Sequence, residues 1–148
     1  MALEIIGFPR SNFVRTARMV AQEKGVPYEH IPAMPHSDEV KAINPLGLIP
    51  VARHDGQDMV ETYAFAHYID TAFDGPALVP TDPKGAAAVN RWIMAVNTSV
   101  DQMLMRRYVV EYAFHKDKDG NVVRDVIDQT VKRLPKMFTF LEAAVADG

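Results

Sequence analysis

The sequence predicts an α/β fold, a mixed four-stranded sheet with helices on both faces, followed by an all-α segment of two long helices. Three observations carry this expectation. Short β-branched runs near residues 3–8 and 28–32 bracket a helical pattern, Asp55-Gly56 separates two further strand-like runs, and after Gly85 neither proline nor glycine interrupts a periodic apolar pattern reaching Tyr112.

Leu3-Glu4-Ile5-Ile6-Gly7-Phe8 is apolar and β-branched at its centre, as a buried strand is, and Pro9 ends it. Ser11 precedes Val14, Ala17, Arg18, Val20 and Ala21 at helical spacing, which sets it at or beside a helix N-terminus. Gly25 is the expected C-terminal cap, with Pro27 after it. Tyr28-Glu29-His30-Ile31-Pro32 alternates as a second strand, and a β-helix-β opening implies a parallel pair joined by a right-handed crossover. Residues 33–43 are irregular and have room for a short helix. Pro50-Val51-Ala52-Arg53 and Asp58-Met59-Val60 read as a hairpin about His54-Asp55-Gly56-Gln57, because an Asp-Gly pair suits a tight hairpin turn. A helix from Glu61 to about Phe73 would bury Ala64, Phe65, Tyr68 and Ile69. Strand direction reverses halfway through this order, which makes the sheet mixed.

The Pro/Gly-rich stretch from Asp74 to Pro80 separates a first domain, 1–76, from a helical part, 82–148. Asp82-Pro83 supplies an N-cap with proline in the first turn, and Val89, Trp92, Val96, Val100, Met103 and Arg107 roughly track one face of the helix that follows. The charged stretch from His115 to Asn121 has the look of a calcium loop, but Gly120 falls three places after Asp117 where such a loop needs five, so a solvated turn is expected. A last helix from about Val122 to Val145 contains Pro135, which should kink or split it at a cost of about 3 kcal/mol. The two long helices would pair antiparallel, each keeping apolar surface for the first domain, a second chain or further sequence.

Composition narrows the function classes. With 48% hydrophobic and 24% charged residues the chain can bury a core, and its net charge of −3 gives no electrostatic case for nucleic acid. No cysteine is present, so protein disulfides, Cys-based metal sites and a Cys-x-x-Cys redox cycle are excluded. The five histidines have no metal-ligand spacing and no glycine-rich phosphate loop occurs, so neither a metal nor a nucleotide is expected. No apolar run approaches the ~18 residues of a membrane span and the first residues lack the features of a signal peptide, which makes the cytoplasm the expected compartment and a membrane an unexpected partner.

The densest backbone chemistry lies in Asn44-Pro45-Leu46-Gly47-Leu48-Ile49-Pro50, continuing to Glu61-Thr62. An Ile-Pro bond at the mouth of a strand suits a cis peptide, and a cis bond would turn the Ile49 backbone N–H and C=O outward, toward an extended peptide-like ligand. The plainer reading is a loop, a strand and a hairpin. Together with Ala64-Phe65 and Tyr68-Ile69, the stretch resembles the Asn-Pro-x-Gly-x-Val-Pro … Glu-Ser-x-Ala-Ile-x-x-Tyr-Leu pattern of the glutathione transferase N-terminal domain. The resemblance covers nearly all of the first 75 residues; beyond residue 80 it rests on helix layout.

That resemblance implies a thioredoxin-like first domain in which the residue before a cis-proline, Ile49 before Pro50, pairs with the cysteinyl backbone of glutathione as co-substrate. It implies that Glu61 and Thr62 hold the γ-glutamyl end; the residues alone also read as a helix cap. His36 and Lys41 are the candidates for the glycine carboxylate, or are ordinary surface charge. Ser11 is by its local sequence either an N-cap or a hydroxyl that donates to a thiolate in the positive field of a helix N-terminus, with Arg15 one turn on adding to that field. Resemblance to the serine-type (phi-like) transferases favours the second. Phe8 lacks the hydroxyl of the tyrosine type, and the missing cysteine excludes the cysteine type. Trp92, Met94, Met103, Met105, Tyr108 and Tyr112 are core or acceptor-pocket candidates.

By resemblance the product would be a homodimer, with Asp101 reaching the partner's γ-glutamyl site, and the reaction would conjugate glutathione to a small hydrophobic electrophile in detoxification. Family members continue beyond the position of Ala146-Asp147-Gly148 with a central helix, so the resemblance also implies a shortened helical domain. The alternative is a transferase-like binding or dimerisation module without catalysis.

Overall fold

In the computed structural model, which describes residues 2–146, four strands form one sheet in the order β2-β1-β3-β4: β1 (Leu3–Ile6), β2 (Tyr28–Ile31), β3 (Val51–His54) and β4 (Gln57–Val60). β1 pairs parallel with β2, and β3 runs antiparallel to both β1 and β4. The fold is therefore a thioredoxin-like mixed sheet followed by helices. The hairpin is tighter than the sequence reading, because Asp55 and Gly56 both take positive φ, 49° and 81°, and the strands extend to His54 and Gln57 around a two-residue turn.

Helices α1 (Asn12–Glu23), α2 (Asp38–Ile43) and α3 (Thr62–Ala72) complete the first unit. On one face of the sheet Leu3, Ile5 and Ala52 pack with Val14, Ala17 and Ala21 of α1 and Phe65 and Ile69 of α3. Ile6, Ala33, Val40 and Val51 form the smaller cluster on the other face. Period-two alternation along β1 and 3.6-residue periodicity along α1 supply these two sets. The stretch expected to be a linker is pinned: Asp70 of α3 accepts the N–H groups of Leu78 (2.8 Å) and Val79 (3.1 Å) and faces the buried Lys24 ammonium at 3.3 Å, which also donates to the Asp70 carbonyl.

Cα packing divides the chain at residue 85. Helix α4 (Pro83–Ala95), capped by the Asp82 carboxylate on the Gly85 N–H at 2.8 Å, continues into a π-helical stretch, Val96–Val110, and then α5 (Glu111–Phe114). The wider π turn stacks residues five apart, so the Arg106 guanidinium reaches the buried Asp101 carboxylate at 2.9 Å. That change of repeat is why the apolar face expected from an unbroken α-helix does not continue through the stretch, where Asp101 is the buried residue. Asp117 accepts the Asn121 and Asp119 N–H groups, which hold its carboxyl below the usual range despite some desolvation, in an exposed turn closed by a Lys116–Val122 bridge. The last helix begins at Asp125, later than Val122, and divides before Pro135 into α6 (Asp125–Val131) and α7 (Leu134–Val145).

Candidate functional site

The sheet register gathers most of the predicted residues at one end. The pairs Ile6↔Ile31, Ile6↔Val51 and Val51↔Val60 lie level with one another, so the segments just beyond them share an edge. These are Gly7 to Ser11 after β1, the loop after β2 that contains His36, Ile49-Pro50 before β3, and Glu61-Thr62 after β4.

Ser11 is the N-cap of α1, in extended conformation, and its half-buried hydroxyl oxygen accepts the Val14 N–H at 3.4 Å. Accepting that bond leaves the hydroxyl proton available for a second partner. The first turn of α1 carries no acidic side chain, so nothing in it offsets the positive end of this twelve-residue helix. Arg15 lies on the same turn, its side chain exposed and its N–H bonded to the Ser11 carbonyl at 3.0 Å.

The Ile49-Pro50 peptide bond is cis. Gly7 brings the Ser11 arch against it, because a Cβ added at Gly7 would stand 2.6 Å from Val14 Cγ2 and 3.2 Å from Ile49 Cβ. Only glycine permits that approach. Glu61 caps α3 at φ 66°, ψ 113°, a conformation costly for any residue with a Cβ, and is exposed; Thr62 is half-buried. His36, also at positive φ (65°), donates its N–H to the Gly47 carbonyl at 2.8 Å, and a Cβ on Gly47 would run into the His36 ring. Lys41 is exposed on the last turn of α2, its N–H bonded to the Ser37 carbonyl at 2.9 Å.

Two contributors to this edge have no role assigned from the sequence. Asn44 is buried, and its side chain bridges its own loop, accepting from the Leu46 N–H at 3.1 Å and donating to the Leu48 carbonyl at 3.2 Å. Its place at the head of an Asn-Pro turn was the available signal. His30 contacts the Gly7 carbonyl at 3.0 Å across two parallel strands, and no local pattern announces that contact.

A family model described as the glutathione S-transferase N-terminal domain matches residues 5–77. Through these residues the chain belongs to the glutathione transferase family. A probable glutathione S-transferase of Nicotiana tabacum is 30% identical over 135 residues, covering 89% of this chain and 58% of that protein. The chain thus spans little more than half the length of this curated transferase. Two solved structures share the fold at 23% identity each. Glutathione transferase F7 of Populus trichocarpa superposes with a TM-score of 0.84, over 99% of this chain and 72% of that one. The theta class enzyme of Xanthomonas axonopodis pv. citri, solved with glutathione bound, gives 0.82 over 98% and 70%. In this transferase fold the edge that collects Ser11, Ile49, Pro50 and Glu61 is the natural candidate site.

The helical part offers separate grooves. One of about 550 Å3 is lined by Ala95, Met103, Met137 and Phe140 together with the basic Lys132, Arg133 and Lys136. A second, of about 500 Å3, is formed by Trp92 with Leu141 and Val145. Trp92 packs on Phe140 with ring centroids 5.0 Å apart, whereas Met94 and Tyr112 are exposed, so the methionine and aromatic stripe is neither wholly core nor a single pocket lining. Among the described residues no cluster could hold a metal ion, and no helix is long and apolar enough to cross a membrane.

Proposed function

We propose that this chain carries the glutathione site of a serine-type transferase, which conjugates reduced glutathione to a small hydrophobic electrophile in the cytoplasm. The observation that carries the reading is the shared sheet edge: a hydroxyl with a spare proton at an uncompensated helix N-terminus, one glycine contact away from a cis-proline ledge. Ile49 would pair through its main chain with the cysteinyl residue of the tripeptide. Glu61 and Thr62 would meet the γ-glutamyl end at the start of α3, where backbone N–H groups and an acidic side chain lie together. His36 and Lys41 would meet the glycine carboxylate.

In this arrangement the thiol gives its proton to solvent, and Ser11 donates a hydrogen bond to the resulting thiolate. The sulfur then forms a bond to the electrophilic carbon, either displacing a leaving anion or adding to an activated double bond. Ser11 and the α1 terminus stabilise the anion before attack, Arg15 adds positive charge nearby, and the site holds both reactants together. Pairing of the first domain of one chain with the helices of a second is the expected assembly, and the apolar Leu46 and Leu48 (69% and 51% exposed) are suited to it.

The Ser11→Ala variant tests the reading. Conjugation of a chlorodinitrobenzene-type acceptor should fall about 100-fold in kcat/KM, the size of one lost anion-stabilising donor, and thiolate formation by bound glutathione should move to higher pH. A second reading, a docking module without catalysis, draws on the large exposed apolar area of the helical part. Retention on a glutathione column without turnover, indifferent to Ser11→Ala, would select that reading.

A further inference from the structure

We infer that His30 is a positioning residue for Ser11. The inference rests on the transferase reading for its functional consequence and on geometry for its structural one. His30 stands beside Ile5 in the parallel β1–β2 pair, half-buried, with Nε2 at 3.0 Å from the Gly7 carbonyl oxygen. A carbonyl only accepts, so in this contact Nε2 carries a proton and donates.

The other side of Gly7 is held as well, because its N–H donates to the Ile31 carbonyl at 3.0 Å. β2 therefore grips both polar groups of the last residue before the arch, one by main chain and one by a side chain. Beyond Gly7 the arch is a single turn, Ser11 N–H to the Phe8 carbonyl at 2.9 Å, and it delivers the Ser11 hydroxyl. The space a Gly7 side chain would fill is taken by Val14 and Ile49, so rotation of the Gly7 carbonyl would move the serine arch relative to the cis-proline ledge. His30 sets that rotation from outside the site, without touching a ligand.

The test compares His30→Ala, His30→Gln and His30→Asn in the full chain. The glutamine amide reaches about as far as the imidazole Nε2 and keeps a donor, whereas the asparagine amide stops short. Amide hydrogen exchange at Ser11 should quicken about five- to tenfold in His30→Ala and His30→Asn, the worth of one neutral hydrogen bond, and return to within about twofold in His30→Gln. Exchange at Ile69 should stay unchanged as a control on the fold. In the same proteins kcat should fall by a similar factor, with KM for glutathione within about twofold, and the pH midpoint for the thiolate of bound glutathione should rise. Wild-type exchange at Ser11 in His30→Ala overturns the inference, and so does a glutamine variant that behaves like the asparagine one. If His30→Ala does not fold, the glutamine and asparagine pair decides. Wild-type protein that fails to bind glutathione overturns the transferase reading, while the exchange rates still decide what His30 does to the arch.

Discussion

The two units of this chain bury apolar surface to very different degrees. Among the described residues every buried apolar core side chain except Ile127 lies in the first unit, where sheet and helices cover one another from both sides. The second unit leaves Val109, Tyr112, Phe114, Phe138, Phe140 and Val145 exposed by 43–76%, although its helices are as apolar as those of the first. A helix buries only one stripe, and two helices side by side leave the rest of each stripe uncovered. The lesson is that secondary structure in the second unit is specified locally while its burial is not.

The largest expected effect sharpens this contrast. Phe65 is 2% exposed in the main cluster, and Phe65→Ala should cost about 3–5 kcal/mol through lost transfer energy and a cavity. Phe138 is 46% exposed, and Phe138→Ala should stay within about 1 kcal/mol. Chemical denaturation of both variants measures the difference. An equally large loss at Phe138 would break the comparison, because it would mean that the helical face is covered in solution by another surface.

Much of the first unit was legible from the chain. Alternation at Leu3-Ile5, the Ser11 cap, the Asp-Gly turn and the Ile-Pro bond are each short-range chemistry, and each appears where the sequence puts it. The edge that collects Ser11, Ile49 and Glu61 was harder to derive, since it depends on strand register, which a family pattern supplies and local propensity does not. His30 and the Asp70 anchor were not legible, because each pairs residues across elements and neither belongs to a local motif. In the helical part the wide π turn was not legible, because the apolar spacing along Val96–Val110 suggests an unbroken 3.6-residue repeat. Pro135, by contrast, correctly forecast a divided last helix.

A second prediction probes how firmly the first unit is closed. Burial alone would push the Asp70 carboxyl up, but the Leu78 and Val79 N–H groups and the Lys24 ammonium outweigh it and hold the group below its ordinary value. A carboxyl lowered in the folded state contributes stability that is present above the unfolded value of about 4 and is lost as pH falls through the folded value. Lys24→Met removes the cation from a pair whose side chains are 3% and 8% exposed, and should cost on the order of 3 kcal/mol at neutral pH. It should also make acid unfolding begin at a higher pH. Denaturation midpoints followed from pH 7 to about 3 would detect both changes. Asp70→Asn should flatten the acid limb, and an unchanged limb in that variant would assign it to other carboxylates.

The smallest expected effect separates stability from function inside the first unit. Glu61 holds φ 66° at the start of α3, exposed, where a side chain gains little from packing and loses backbone comfort. Glu61→Gly should relieve a strain on the order of 1 kcal/mol, less the entropy that glycine adds to the unfolded chain, so the fold should be unchanged or slightly more stable. The same change removes the carboxylate proposed to meet the γ-glutamyl end, and glutathione affinity should drop about tenfold, the worth of one charge-assisted hydrogen bond. Glu61→Gln supplies the control that keeps the backbone and alters only the charge, and should lose affinity without gaining stability. Calorimetric titration and thermal melts of the two variants report these quantities independently. A glycine variant that loses stability and keeps its affinity would place the need for Glu61 in the helix cap and remove it from the glutathione site.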